Sequence, residues 1–469
     1  MQKVTLCSTT GVRLFIFGWV LTTITNFPSA FTHTSINAAV LKMDKYLNES
    51  YTDRYRPLDH HEVSLIKSGI NSVWYAGQVA GALMSPYVCD NWGRKPAYLI
   101  SVVVMTAACG MQMIASLTPF PEILIAGRII TAIFSPLSDA ALILYLQEIS
   151  PSSLRGTMSS LFSTGYAVMC LFGVLLGHED VLGYSLSVLL FVPVIPGVLS
   201  TLALILMPDT PKFLMIKRLT LSFRHYSVTS TVLIIQKFQA RRDGCNELSQ
   251  VLSGTSLQAI LTTRHLRGAF AVSVAVLILT LPFYPILQNS TYFFIHLDVP
   301  KWLSSSLLMV LLTCSCITST CIVDKLPRRL LLTAGSSCMI SLTIFVTAAE
   351  FGFKYIAMAA VFAFISSYGI GVGPVAWFIS PEMVPIQYRS AMFCLCYAVH
   401  SVLVVLTNFA TVPLIGVIGA VCFVPIFIIP CSMALTYIYI FLPETKGREI
   451  IDIVNELKGF TKNTDVVTA

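Results

Sequence analysis

Apolar runs of about twenty residues recur along almost the whole chain, from Leu14 to Phe441, and no other feature limits its fold as severely. A helix rising ~1.5 Å per residue needs roughly this length to cross the ~30 Å hydrocarbon core of a bilayer. Lipid offers no water to satisfy backbone N–H and C=O groups, so each spanning run must be helical. Twelve helices are predicted, at 14–36, 66–88, 97–117, 123–147, 157–177, 183–207, 268–295, 303–323, 330–349, 355–379, 391–412 and 416–441. Charged residues make up only 11% of the chain, against roughly 25% in a soluble domain. The expected class is an all-α membrane protein whose immediate partner is the lipid bilayer.

The twelve runs divide into two sets of six, because three short motifs recur at almost one offset. Glu148, Pro151 and Arg155 are answered by Glu382, Pro385 and Arg389, 234 residues later. Asp90 and Arg94 are answered by Asp324 and Arg328 at the same 234, and Pro208-Asp209-Thr210 by Pro443-Glu444-Thr445 at 235. Internal repeats of this kind are how many transporter folds are built. The expected division is an N-terminal half over 1–207, a cytoplasmic linker with interfacial helices over 208–267, a C-terminal half over 268–442 and a cytoplasmic tail over 443–469.

Basic residues set the orientation. Arg94, Lys95, Arg155, Lys325, Arg328, Arg329 and Arg389 fall in loops on one side, together with the nine Lys and Arg of the long linker. By the positive-inside rule that side and both termini are predicted to be cytoplasmic, and the plasma membrane is the expected location. The run that follows Met1–Arg13 lacks a small-residue cleavage site and reads as a retained anchor. The first loop on the other side holds Asn48-Glu49-Ser50, an acceptor sequon that makes Asn48 the candidate glycosylation site. The net charge of +7 is spent on topology, so no nucleic-acid partner is expected. Most of the thirteen cysteines lie inside apolar runs, where they act as small hydrophobes. No zinc-like spacing, phosphate-binding loop or catalytic triad is present, which argues against an enzyme and against a metal or other cofactor.

Asp90, Arg94, Glu148, Arg155, Asp324, Arg328, Glu382, Arg389 and Glu444 all fall at predicted cytoplasmic helix ends. Carboxylates meeting guanidiniums where water is partly excluded form strong, directional pairs. A network spanning two halves that separate has two discrete states, made or broken, and so is expected to latch the inner face shut.

Taken together the motifs resemble the sugar-porter branch of the major facilitator superfamily, the facilitative glucose transporters and their relatives. The resemblance is carried by Asp90-x-x-Gly93-Arg94-Lys95, Gly127-Arg128, Tyr145-x-x-Glu148-x-x-Pro151-x-x-x-Arg155-Gly156, Pro208-Asp209-Thr210-Pro211-Lys212, Gly373-Pro374-x-x-Trp377 with Glu382 and Arg389, and Pro443-Glu444-Thr445-Lys446-Gly447. It implies two six-helix halves rocking around a central site, and a sugar or polyol as cargo. Asn91 and Pro327 depart from the loop pattern.

The family's sugar-binding amides are mostly absent. The seventh-helix glutamines fall on Ile278 and Leu279 and its asparagine on Tyr284, the eleventh-helix Asn-Trp pair on His400 and Ser401, and the fifth-helix glutamine on Ser163. A polyol hydroxyl left without a partner in a dry cavity is costly. The expected cavity is aromatic and hydroxylic instead: Phe31, Thr32 and His33 near Pro28, Ser163, Phe283 and Tyr284 between prolines, Gln288 and Asn289 toward the outer mouth, Trp377 and His400. Proton-coupled relatives resemble a pattern with an aspartate on the first helix; its position here is Thr32, which favours a uniporter. Asp139, mid-span, is the candidate for proton coupling if that reading fails. A non-hexose organic solute, or a non-transporting nutrient sensor on the same fold, are the alternative functions.

Overall fold

The computed structural model describes residues 9–32, 34–35, 39–54, 60–151, 154–207, 256–287, 301–328, 330–385, 388–446, 448 and 450–457. The N-terminal half contains α1 (Thr9–Asn26), α2 (Val40–Arg54), α3 (His60–Asn91), α4 (Arg94–Ala115), α5 (Pro121–Ile149), α6 (Arg155–Leu176), α7 (Leu186–Phe191) and α8 (Val194–Leu206). The C-terminal half contains α9 (Ser256–Thr262), α10 (Arg264–Ile278), α11 (Lys301–Ile322), α12 (Leu330–Glu350), α13 (Lys354–Ser367), α14 (Gly373–Glu382), α15 (Arg389–Ile418) and α16 (Ile429–Phe441), and α17 (Ile450–Leu457) follows it.

Among the described residues nine helical segments are long and apolar enough to cross a membrane, and Ser306–Ile322 is a shorter apolar helix. With α3 and α12, which lie on the second and ninth predicted runs, they account for all twelve. The fold is thus all-α, with twelve spans in two six-helix halves. Of the expected linker only α9 and the start of α10 are described, and of the tail only its first part including α17.

Local chemistry fixes the ends. Gly93, at φ 105°, turns the chain between α3 and α4 in a conformation that a Cβ disfavours. Pro121 opens α5 where its missing N–H is not needed. Regular hydrogen bonding gives way to short π segments at Phe27–Phe31 after α1 and Tyr368–Val372 before α14, next to Pro28 and among glycines. Pro136 lies inside α5, and α10 ends in turns before Pro282.

Without a hydrophobic drive between helices in lipid, close approach depends on small residues. A Cβ on Gly81 would sit 1.9 Å from the Ile133 carbonyl oxygen, so α3 meets α5 backbone to backbone. Two seams join the halves, α6 against α11 and α3 against α15. Along the first, the Thr164 and Thr320 hydroxyls are 2.6 Å apart, Ser160 donates to Thr320 at 3.2 Å, and Thr313 donates to the Ala167 carbonyl at 3.2 Å.

Candidate functional site

The charged motifs gather at one end of the bundle, and the duplication holds there residue for residue. Arg94 Nη1 donates to the carbonyl of Cys89 at 3.1 Å and lies 3.7 Å from Asp90 Oδ1, while its Nε donates to Glu148 Oε1 at 3.0 Å. Arg328 Nη1 donates to the carbonyl of Val323 at 2.8 Å, and Nη2 lies 3.7 Å from Asp324 Oδ1 and 3.5 Å from Glu382 Oε1. Each guanidinium thus uses the carbonyl five residues back, the acid four residues back and the glutamate after the fourth or tenth span. The Arg94 and Glu148 side chains are only 8% and 2% exposed. Glu444 Oε1 accepts from the Arg328 N–H at 2.9 Å, and Thr445 donates to Glu382 Oε2 at 3.0 Å.

These ion pairs lie within each half. One bond that crosses at this end is of another kind: the Thr157 backbone N–H donates to Asp324 Oδ2 at 2.7 Å. Asp324 therefore caps the N-terminus of α6 from the opposite half, where orphan N–H groups and the helix dipole favour a carboxylate. Gly156 makes room for it, since a Cβ there would meet Asp324 Oδ1 at 2.1 Å and Arg328 Nη2 at 2.6 Å. Arg155 and Arg389 open α6 and α15. Arg389 is buried, and Arg155 has no ion pair among the described residues, with its buried Nε unbonded. The arginine pairs hold each half rigid, and the carboxylate cap joins them.

Between this end and the other lies a cavity of about 70 Å³. Four N-half spans line it with Asn26, Ser29, Ala30, Trp74, Tyr75, Gln78, Ser135, Asp139, Phe162, Ser163, Tyr166 and Ala167. Four C-half spans contribute Phe283, Tyr284, Leu312, Cys316, Tyr368, Gly373, Trp377, Tyr397 and His400. Phe283 stacks on Tyr368 with ring centroids 4.3 Å apart, Tyr75 meets Tyr284 edge-on at 5.8 Å, and Phe162 meets Trp377 edge-on at 6.0 Å. The last two contacts bridge the halves. Trp377 also packs on Tyr397 and His400, each at 5.2 Å. His400 Nε2 shares a hydrogen bond with the Thr280 hydroxyl at 2.9 Å, and the Tyr397 hydroxyl donates to Asp139 Oδ2 at 3.1 Å across the halves.

Of the cavity residues expected from sequence, Ser163, Phe283, Tyr284, Trp377 and His400 come together. Thr32 does not: it is buried 3.7 Å from the Cys109 sulfur. Phe31 is buried against Phe27. The first span turns Asn26, Ser29 and Ala30 inward instead, positions i, i+3 and i+4 that share one helix face while Thr32 falls off it. Gln288, Asn289 and His33 lie outside the described residues. Trp74, Tyr75, Gln78, Tyr166, Tyr368 and Tyr397 were missed. The repeat held the signal for two of them, since Ser163 and Tyr397, like Tyr166 and His400, are 234 apart.

Asn48 sits on α2, half-buried, a helix tied to the bundle by Arg54 and Glu122 at 2.9 Å and by the Tyr46 hydroxyl donating to the Ala115 carbonyl at 2.8 Å. Among the described residues no cluster of three or more His, Cys, Asp or Glu could hold a metal ion.

The chain is similar throughout to known transporters. Residues 6–457 match the family model described as "Sugar (and other) transporter". Facilitated glucose transporter member 7 of solute carrier family 2 from Mus musculus is 25% identical, over 92% of this chain and 89% of that protein. Member 9 from Homo sapiens is 26% identical, over 89% and 80%. The proton:xylose symporter XylE bound to 6-bromo-6-deoxy-D-glucose superposes with a TM-score of 0.68 at 17% identity, covering 94% of this chain and 98% of that one. An inward-open XylE from E. coli gives 0.64 at 16% identity, over 95% and 99%, and both likenesses speak to the fold alone. With the family model spanning nearly every residue and the duplicated charged motifs in place, this chain belongs to the family of sugar (and other) transporters, whose members are membrane transporters and not enzymes.

Proposed function

We propose that this protein is a uniporter, carrying a sugar or sugar-like solute down its gradient by alternating access. One observation carries the reading: a single cavity walled by four spans of each half, beneath a seam that a carboxylate cap holds closed at the charged end. A solute bound there touches both halves at once, so it can bias how they rock. The cavity residues named above form the binding site, and Asp90, Arg94, Glu148, Arg155, Asp324, Arg328, Glu382, Arg389 and Glu444 the latch. The charged end and both termini face the cytoplasm, the protein resides in the plasma membrane, and Asn48 carries a glycan on the outer side. Thr32, packed on Cys109, offers no carboxylate on the first span, which supports uniport.

A second cargo, a non-hexose organic solute, is favoured by the wall itself. Aromatic rings dominate it, and amides reach it only from Asn26 and Gln78. Counterflow in proteoliposomes across labelled sugars, polyols and flat organic solutes tests both readings. Exchange of any member supports transport and names the class. Binding without exchange would leave a sensor instead.

A further inference from the structure

Two hydrogen bonds cross between the halves within the cavity wall. The Tyr397 hydroxyl on α15 donates to Asp139 Oδ2 on α5 at 3.1 Å, and the Ser163 hydroxyl on α6 donates to the carbonyl of Gly373, the first residue of α14, at 3.4 Å. All four residues line the cavity. They are also images of one another under the duplication, since Tyr397 follows Ser163 by 234 residues and Gly373 follows Asp139 by the same 234. In each bond, the span after the Glu-x-x-Pro-x-x-x-Arg motif of one half supplies a hydroxyl, and the span before that motif in the other half supplies an oxygen acceptor. A bond and its repeat image thus tie the halves together at the place a solute has to occupy.

The two acceptors differ in strength. Gly373 offers a backbone carbonyl, whereas Asp139 offers a carboxylate with roughly four lone-pair sites, of which the Tyr397 hydroxyl takes one. Rocking the halves apart stretches both bonds, and an acceptor left bare in a largely aromatic wall is costly. A hydroxyl group is donor and acceptor at once. Inserted between Tyr397 and Asp139, it accepts from the phenol and donates to the carboxylate, so both stay satisfied at a wider spacing. A flat solute without hydroxyls can stack on the rings but cannot make this exchange.

We propose that Asp139 and Tyr397, with Ser163 and the Gly373 carbonyl as their repeat image, form a clamp that reads the cargo's hydroxyl groups by letting them insert into the two bonds between the halves. The cargo class is then a neutral polyol with at least two separated hydroxyls, on a frame that faces Trp377, whose ring lies 5.2 Å from that of Tyr397. Hydroxyl exchange at these bonds takes over from the seventh- and eleventh-span amides that the sequence lacks. This rests on the reading that solute passes through the cavity, and it narrows that reading from organic solutes in general to hydroxyl-bearing ones.

The test uses the purified full-length protein with glucose, fructose, xylose and myo-inositol, their monodeoxy analogues, and the hydroxyl-free benzamide and nicotinamide. Thermal stabilisation in detergent, followed against solute concentration, reads binding, and counterflow in proteoliposomes reads flux. At least one polyol should bind the wild type more tightly than either hydroxyl-free solute, and removal of one of its hydroxyls should weaken binding by about tenfold, the worth of a hydrogen bond to a charged acceptor. That deoxy penalty should vanish in Asp139→Leu, shrink in Tyr397→Phe and persist in part in Asp139→Asn, whose amide oxygen still accepts. Ser163→Ala should reduce the penalty at a different hydroxyl. General loss of packing weakens parent and deoxy analogue alike, so their ratio isolates the contact. A wild type that binds no polyol, that prefers the hydroxyl-free solutes or that shows no deoxy penalty overturns the clamp whether or not a variant folds, as does a penalty unchanged in a folded Asp139→Leu. A deoxy penalty on binding without flux keeps the clamp and removes the transport reading; flux without a deoxy penalty does the reverse.

Discussion

The Arg94–Glu148 pair shows what a single residue contributes at the charged end. Both side chains are nearly inaccessible, so removing one partner strands a buried charge, at a cost of about 3–5 kcal/mol, whereas removing both leaves a neutral contact of similar volume. Glu148→Ala should therefore lower the melting temperature more than the double variant Arg94→Met with Glu148→Leu. If the motif is the latch proposed above, flux should fall in both; thermal unfolding and counterflow on the same preparations separate the two effects. Asp139 supplies a different test. Its carboxylate accepts from Tyr397, and an amide oxygen can accept the same bond, so under uniport Asp139→Asn should retain flux within a few-fold. Wild-type flux should not depend on an imposed proton gradient. Uptake in pH-clamped vesicles that follows that gradient, and loses it in Asp139→Asn, would assign a proton site there.

The seam between α6 and α11 is one of the two at which the halves are fastened. Asp324 contributes through its carboxylate, and Gly156 through the absence of a side chain. Gly156→Ala drives a methyl group into the Asp324 carboxylate and the Arg328 guanidinium, while Asp324→Asn keeps the shape and removes the charge. Both should shift the population toward a state open at the charged end, with Gly156→Ala the stronger. Accessibility of a cysteine placed on that face, measured by thiol labelling in intact and inverted vesicles, reports the shift. Within a helix pair, Gly81→Ala should cost stability without altering orientation, because the Ile133 carbonyl it would strike lies in the same half. Helix existence was legible from run length alone, since lipid permits a spanning run little else. The π segments at Phe27–Phe31 and Tyr368–Val372 were not, because the apolar pattern of a run does not report its hydrogen-bonding register.

At the scale of the molecule, the 234-residue echo announced two equivalent halves, and the paired environments of Arg94 and Arg328 bear it out down to the carbonyl each one uses. What pattern matching could not convey was direction. The ion pairs of like motifs lie within their own halves, and one bridge between the halves is a carboxylate on a neighbouring helix end, which depends on three-dimensional approach and leaves no spacing to read. Cavity residues on spans with named motifs, such as Trp377, were found; those on featureless apolar stretches, such as Trp74 and Tyr368, were hidden because an aromatic facing solute and one facing lipid look alike in one dimension. Rocking of the halves about the cavity requires the α6–α11 seam to open in every cycle. Ser160 and Thr320 face each other across it with hydroxyl oxygens 3.2 Å apart, so Ser160→Cys with Thr320→Cys gives a bond that can be closed by oxidation and opened by reduction. Counterflow through this variant should stop on oxidation and return on reduction, while each single variant keeps its flux; undiminished exchange with the bridge formed would contradict alternating access.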